Sequence, residues 1–193
     1  MAFRQGIAYG FLAGAVLSVV VSWIDDVRDL PPVVRIAVHL IAAALLLVDR
    51  GAYPIFFGGQ MVEVSGVLEF VISLFFIVWF INAYNFMDGI DGIAGVQALT
   101  ASAGWCALGV LSGEASIAVL ACLIFAASPG FLIFNWQPAK IFMGDAGSAF
   151  LGFTFSGIGL LSSPGSGVRI LAFPVACLLL WPFMFDAFYT LFK

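Results

Sequence analysis

Long apolar stretches, separated by short polar or glycine- and proline-rich joints, run the length of the chain. They fall at 6–24, 33–49, 66–83, 93–112, 115–134, 146–163 and 168–191. Each approaches the length a helix needs to cross the hydrocarbon core of a bilayer. In lipid every backbone amide must find its partner within its own segment, so these stretches predict helices rather than open strands. The pattern therefore predicts an all-α fold, a polytopic transmembrane helical bundle of about seven spans that forms a single transmembrane domain over 1–193. MAFRQ and the apolar run behind it read as the start of the first span rather than as a cleaved leader. The joint 51–66, GAYPIFFGGQMVEVSG, predicts a small extramembrane hairpin near 55–64, from the Gly58-Gly59 pair and the alternation of MVEV.

Counting spans assigns the joints to two faces. The face that holds Asp25 and Asp26 is met again at 82–92 and at 135–148, so the joints richest in polar residues open together. The hairpin, the Ser112-Gly113-Glu114 turn and SSPGSG (162–167) fall on the opposite face. Arg28, Arg35, Lys140 and Lys193 lie on the first face and Arg4, Arg50 and Arg169 on the second, a weak excess that points the first toward the cytoplasm.

Composition narrows the class. The chain is 63% hydrophobic and 9% charged, with 21 Phe, and its mean hydropathy is +1.15. A soluble domain of 193 residues cannot hide that much apolar surface, whereas a membrane protein need not. Cys106, Cys122 and Cys177 all lie in apolar runs without metal or redox spacing, and are expected to be small packing residues. His39 falls inside the second span and reads as a packed helix residue.

The acidic residues change the picture. Asp25, Asp26, Asp29, Asp88, Asp91, Asp145 and Asp186 all map to the first face. Carboxylates beside lipid are costly without a partner or a task. Singly, each suits a helix N-cap, Asp25 or Asp29 for the second helix, Asp91 for the fourth and Asp145 for the sixth. Together on one face they suit a divalent cation that takes oxygen ligands and shares phosphate oxygens. Gly89, Gly92, Gly144 and Gly147 flank them and permit close backbone approach to a diphosphate. Soluble phosphate-binding fingerprints are absent.

Three blocks then carry a resemblance: IDDVRDL (24–30) with Arg35, NAYNFMDGIDG (82–92) and PAKIFMGDAGS (138–148). Their wording and order resemble the polyprenyl-phosphate N-acetylhexosamine-1-phosphate transferases, often called glycosyltransferase family 4. That family includes the phospho-N-acetylmuramoyl-pentapeptide translocase and the transferases that initiate O-antigen, and the second and third blocks look closest to the O-antigen-initiating branch.

The resemblance implies transfer of a sugar-1-phosphate from a UDP-sugar to undecaprenyl or another polyprenyl phosphate. UMP would be released, as the initiating step of cell-envelope polysaccharide synthesis. It implies Mg2+, with Mn2+ as an alternative, held by Asp145 and Asn85. It implies catalytic roles for Asp25, Asp26 and Asp88, with base and orienting duties shared between Asp25 and Asp26. Substrate-binding roles fall to Arg35, Asp91, Asn135, Lys140 and Phe142, the last stacking on uracil. The implied setting is the bacterial inner membrane, multi-pass, with the active face cytoplasmic. The implied partners are membrane lipid and a second copy as homodimer, without nucleic acid.

The chain departs from that pattern in having fewer spans, and in stopping before a late Arg/His-rich motif. It is therefore read as the central and C-terminal part of a longer family fold, truncated at both ends. A catalytically inactive truncated homologue, or a fragment of a membrane transporter, are the alternatives. A CDP-alcohol phosphotransferase is disfavoured because Asp91-Gly92-Ile93-Ala94-Gly95 lacks the arginine of that class.

Overall fold

The computed structural model describes residues 8–57, 60–62 and 64–191. The elements are α1 (Tyr9–Arg28), α2 (Pro32–Arg50), β1 (Phe56–Phe57), β2 (Gln60–Met61), α3 (Gly66–Met87), α4 (Ile93–Ser112), α5 (Ala115–Asn135), α6 (Gly144–Gly157), α7 (Gly167–Leu179) and α8 (Trp181–Leu191). A 3-10 turn, Ile158–Leu161, continues α6. The fold is the expected all-α bundle, and α1 to α5 are each long and apolar enough to cross a membrane. The short antiparallel pair β1–β2 is the hairpin foreseen near 55–64, with Phe56 opposite Met61. Its Gly58-Gly59 tip and Glu63 lie outside the described residues, as do Arg4 and Lys193 of the charge count.

Local chemistry sets the boundaries. Pro32 opens α2 at a position where a missing amide does no harm. Asp29 ends α1 in a left-handed conformation, φ 48°, so it closes that helix instead of capping the next. Gly113, φ 74°, turns the chain between α4 and α5. The stretch 168–191 is broken at Leu180 into α7 and α8. Pro182 has no amide for the carbonyl one turn earlier, which is why the helix stops there.

The core is built around α6. From Ser148 to Ser162 every residue but Phe150 is buried, with α1 and α3 packed along the helix. Gly152 makes that approach close. A Cβ at this position would lie 2.7 Å from Ile81 Cα and 2.8 Å from Phe80 O, both on α3. The antiparallel pair α4–α5 also brings Cys106 and Cys122 opposite each other, Cα to Cα 5.4 Å, where they form a disulfide. That corrects the reading of these two as packing residues alone, since a partner sixteen residues away is created only by the helical hairpin. His39 is buried, as expected.

The two ends of the bundle are fastened differently. At one end Ser163 donates to Glu114 through backbone and hydroxyl, which ties the α4–α5 turn to the segment before α7. There the buried Arg169 donates to the carbonyls of Leu160, Arg50, Gly51 and Ala52, closing the C-terminus of α2 against the 3-10 turn. The other end gathers the 25–35, 85–92 and 135–148 segments, in agreement with the two faces counted along the sequence.

Gly152→Ala is expected to destabilise the bundle by roughly 1–3 kcal/mol, because the two nearest of the three atoms its methyl would meet belong to backbone. Thermal unfolding in detergent or nanodiscs checks it, with Gly130→Ala, whose added Cβ meets nothing within 4 Å, as the comparison.

Candidate active site

The acidic end starts with Asp25, in the last turn of α1. Its carboxylate is buried, and it accepts from the Leu30 amide at 2.6 Å and from Arg35 Nη1 at 2.5 Å. The same Arg35 nitrogen reaches Asp145 Oδ2 at 3.2 Å. One guanidinium from the first turns of α2 thus joins acids from α1 and α6. The neighbouring Asp26 turns the other way. Its oxygens accept from the amides of Asp145 at 3.0 Å and Ala146 at 3.3 Å, at the positive start of α6.

Asp26 and not Asp145 is therefore the acid that serves the first turn of this helix. Gly144 makes the approach possible. Its φ is 70°, and a Cβ there would lie 3.1 Å from Asp26 Oδ2. The capping roles considered for the other acids are not what the structure places there. α2 starts on Pro31 and α4 on Gly92.

Asp88 follows the last residue of α3 and lies beside the amides of Gly144 and Met143. Burial first, and then the charges of Asp145 and Asp26, push its carboxyl up from an ordinary 3.8 to about 6, against the pull of those two amides. Asn85, one turn earlier, takes a hydrogen bond from Ser148 Oγ at 3.0 Å and lies beside the Asp145 carboxylate. The sequence-identified Asp25, Asp26, Asp88, Arg35, Asn85 and Asp145 are thus one connected cluster.

Asp91 and Asn135 sit beside that cluster, joining its loops. Asp91 accepts from the Ala139 amide at 2.9 Å. Asn135, buried, accepts from the Gly92 amide at 3.0 Å and donates to Ile141 O at 2.9 Å. They hold the 88–92 turn against the 136–143 loop. Lys140 and Phe142 lie on that loop with exposed side chains, Phe142 at 64%, and the Lys140 amide closes back on Phe134 O.

An open cavity of about 760 Å³ adjoins Asp91, between α4, α8 and Trp136. Met87, Ile93, Val96 and Phe183 give it a largely apolar wall. Sequence reasoning gave no role to Ser148, or to Gln97, which donates to Leu179 O at 2.6 Å and braces the break between α7 and α8. A serine in a Gly-rich helix start and a glutamine inside an apolar span were the available signals.

Among the described residues no three acidic, His or Cys side chains stand as a ready-made metal cage. The donor set nevertheless fits Mg2+ in its usual manner, through one or two carboxylates with the rest of the shell left to water and phosphate. Burial first, and then the nearby charges of Asp145 and Asp26, raise the Asp88 carboxyl, and a cation at this place would offset the second of these causes.

Comparison with known proteins gives the family. The model described as glycosyl transferase family 4 matches residues 8–163. A probable undecaprenyl-phosphate N-acetylglucosaminyl 1-phosphate transferase of Bacillus subtilis (strain 168) is 32% identical over 151 residues, 77% of this chain and 42% of that relative. A phospho-N-acetylmuramoyl-pentapeptide-transferase of Streptococcus thermophilus (strain CNRZ 1066) is 32% identical over 161 residues, 75% of this chain and 47% of the relative. One of the same description from Streptococcus pneumoniae (strain Hungary19A-6) is 32% identical over 127 residues, 65% and 39%. The chain spans less than half the length of these curated relatives.

Asp88 supplies a pH test in the metal-free protein. Because its folded carboxyl binds a proton more tightly than the unfolded one, its stabilising share is full below about pH 4 and is lost as pH rises through about 6. An infrared band of a protonated carboxyl is expected to disappear over that window. In Asp88→Asn both that band and the matching decline in unfolding stability should be missing.

Proposed function

The chain belongs to glycosyl transferase family 4, and on that footing we propose that it carries the acidic half-site of a membrane sugar-1-phosphate transferase. In this reading the donor is a UDP-linked N-acetylhexosamine-type sugar and the acceptor a polyprenyl phosphate such as undecaprenyl phosphate. The observation that carries it is the convergence of Asp26, Asp88 and Asp145, from three distant segments, around one helix start with Arg35 beside it.

An oxygen of the acceptor phosphate bonds to the β-phosphorus of the donor, the bond from that phosphorus to the bridging oxygen breaks, and UMP leaves with the electron pair. Positioning and charge stabilisation supply most of the acceleration for such a transfer. Mg2+, held by Asp145 and Asn85 with Asp88 adjacent, would neutralise charge on the phosphoryl oxygens. Arg35 is the cation among the acids and suits a phosphate oxygen.

Asp88, at the end of α3 beside Asp26 and Asp145, suits the role of taking a proton from the acceptor phosphate. Asp25 and Asp26 already bind a guanidinium and backbone amides, which favours orienting roles for both. Exposed Phe142, beside the turn pinned by Asp91 and Asn135, suits a nucleobase. The apolar cavity beside Asp91 offers the isoprenoid part of the acceptor a wall away from water. We place this end of the bundle on the cytoplasmic side of a bacterial inner membrane, since activated UDP-sugars are cytosolic metabolites. The names of the relatives leave both N-acetylglucosamine and N-acetylmuramoyl-pentapeptide donors open for testing, and a role in initiating O-antigen is one of the outcomes.

The full chain in nanodiscs with undecaprenyl phosphate, Mg2+ and a panel of UDP-sugars is expected to release UMP. Asp145→Asn or Arg35→Gln should each lower the rate by on the order of a hundredfold or more. No release from any donor would support a catalytically inactive homologue and sink the proposal. Rates unchanged in both variants would remove this cluster from the chemistry.

A further inference from the structure

Tyr84 lies on α3, one residue before Asn85 and one turn before Asp88, and it is fully buried. Its hydroxyl donates to Ala94 O, in the first turn of α4, at 2.8 Å. Its ring meets Phe183 of α8 edge-on, 4.8 Å between centroids, and Phe155 of α6 at 6.2 Å. Gly152 of α6 lies against it as well, since a Cβ there would come 3.1 Å from Tyr84 Cβ. The ring is thus held by α6 and α8, and its O–H goes to α4.

That bond crosses the joint on which the candidate site depends. α3 packs chiefly along α6, and α4 along α5. Asp88 ends α3 and Asp145 opens α6, so these two acids belong to the first pair. Asn135 ends α5, and it binds the Gly92 amide at the start of α4 and Ile141 O on the loop that bears Phe142. Asp91 takes the Ala139 amide of the same loop. Between the two pairs the chain runs through Gly89 and Gly92, which give the backbone freedom rather than stiffness. The N-cap of α4 is Gly92 itself, at φ 78°, with no side chain to close the first turn. A buried hydroxyl needs its acceptor, so the phenol and the Ala94 carbonyl hold each other in place.

We infer that Tyr84 is a positioning residue of this site: its hydroxyl, fixed on Ala94 O, sets the start of α4 and the Asp91 turn against the Asp88 and Asp145 acids of α3 and α6. The tie between the helices stands on the contacts alone, while its bearing on a nucleotide rests on the function proposed above. In that reading the base lies on the Asp91 and Phe142 side and the phosphates on the Asp88 and Asp145 side. A ligand that bridges both sides feels their spacing, and Tyr84 touches neither end of it.

Tyr84→Phe keeps the ring and its packing and removes only the donor. In the full chain in nanodiscs, without ligand, hydrogen exchange of the amides over 88–97 is expected to speed up. Exchange along the middle of α6 should not change. With Mg2+ present, the dissociation constant for UMP should rise by about three- to tenfold. Tyr53→Phe is the comparison, because it also removes a buried tyrosine hydroxyl, one that donates to Ser156 O on α6. It should lower the unfolding temperature while leaving both the 88–97 exchange and the UMP constant as they are. A loss of stability alone would lower the fraction of protein that binds, not the constant.

Unchanged exchange over 88–97 in Tyr84→Phe would overturn the tie between α3 and α4. Faster exchange with the same UMP constant, or an equal rise in Tyr53→Phe, would overturn the positioning role. Wild type that binds no UMP would sink the nucleotide site proposed above and the positioning role with it, and the tie would still be judged by exchange.

Discussion

One guanidinium sets the terms for the acidic end of this bundle. Arg35 binds Asp25 of α1 and Asp145 of α6 with the same nitrogen, so the relative placement of the first and sixth helices is written into a charge contact. Around it stand Asp25, Asp26, Asp88 and Asp145, more negative charge than one cation offsets. Such an arrangement is poor as a device for stability alone, since buried ion pairs rarely repay their desolvation. It makes sense where the surplus charge is to be met by something else. The amides at the start of α6 share the load, Asp145 and Ala146 facing Asp26, and Met143 and Gly144 facing Asp88.

The contact depends on packing deeper down. α6 can lie at the centre because Gly152 lets it touch α3 backbone to backbone, and because its length from Ser148 onward is buried on nearly all sides. A helix so enclosed has little freedom to tilt, and its first turn is delivered to the acids of α1 and α3 accordingly. Asn135 and Asp91 then pin the loop before α6 to the turn after α3, so that the site consists of loops mounted on a rigid frame.

Much of this could be read from the residues. The span pattern predicted the helices, and their parity predicted which joints share an end, because both depend only on local hydropathy and chain direction. The blocks around Asp25, Asp88 and Asp145 pointed to the cluster for the same reason. What could not be read depends on neighbours created by folding. Cys106 meets Cys122 only once α4 and α5 lie side by side. Asp26 serves a helix that begins 118 positions later, so no local capping rule could assign it. The break at Leu180 was within reach, since Pro182 was visible, but hydropathy alone joined α7 to α8.

At the far end, Arg169 grips carbonyl oxygens of Leu160, Arg50, Gly51 and Ala52. Its counterweight is a set of fixed dipoles supplied by the chain's own backbone, which do not titrate or exchange ions. The Arg169 anchor therefore rests on partners that keep their charge when the acids at the mouth change theirs. Whatever gains or loses charge among the acids does so on a bundle whose opposite end is held by backbone carbonyls gathered on one arginine.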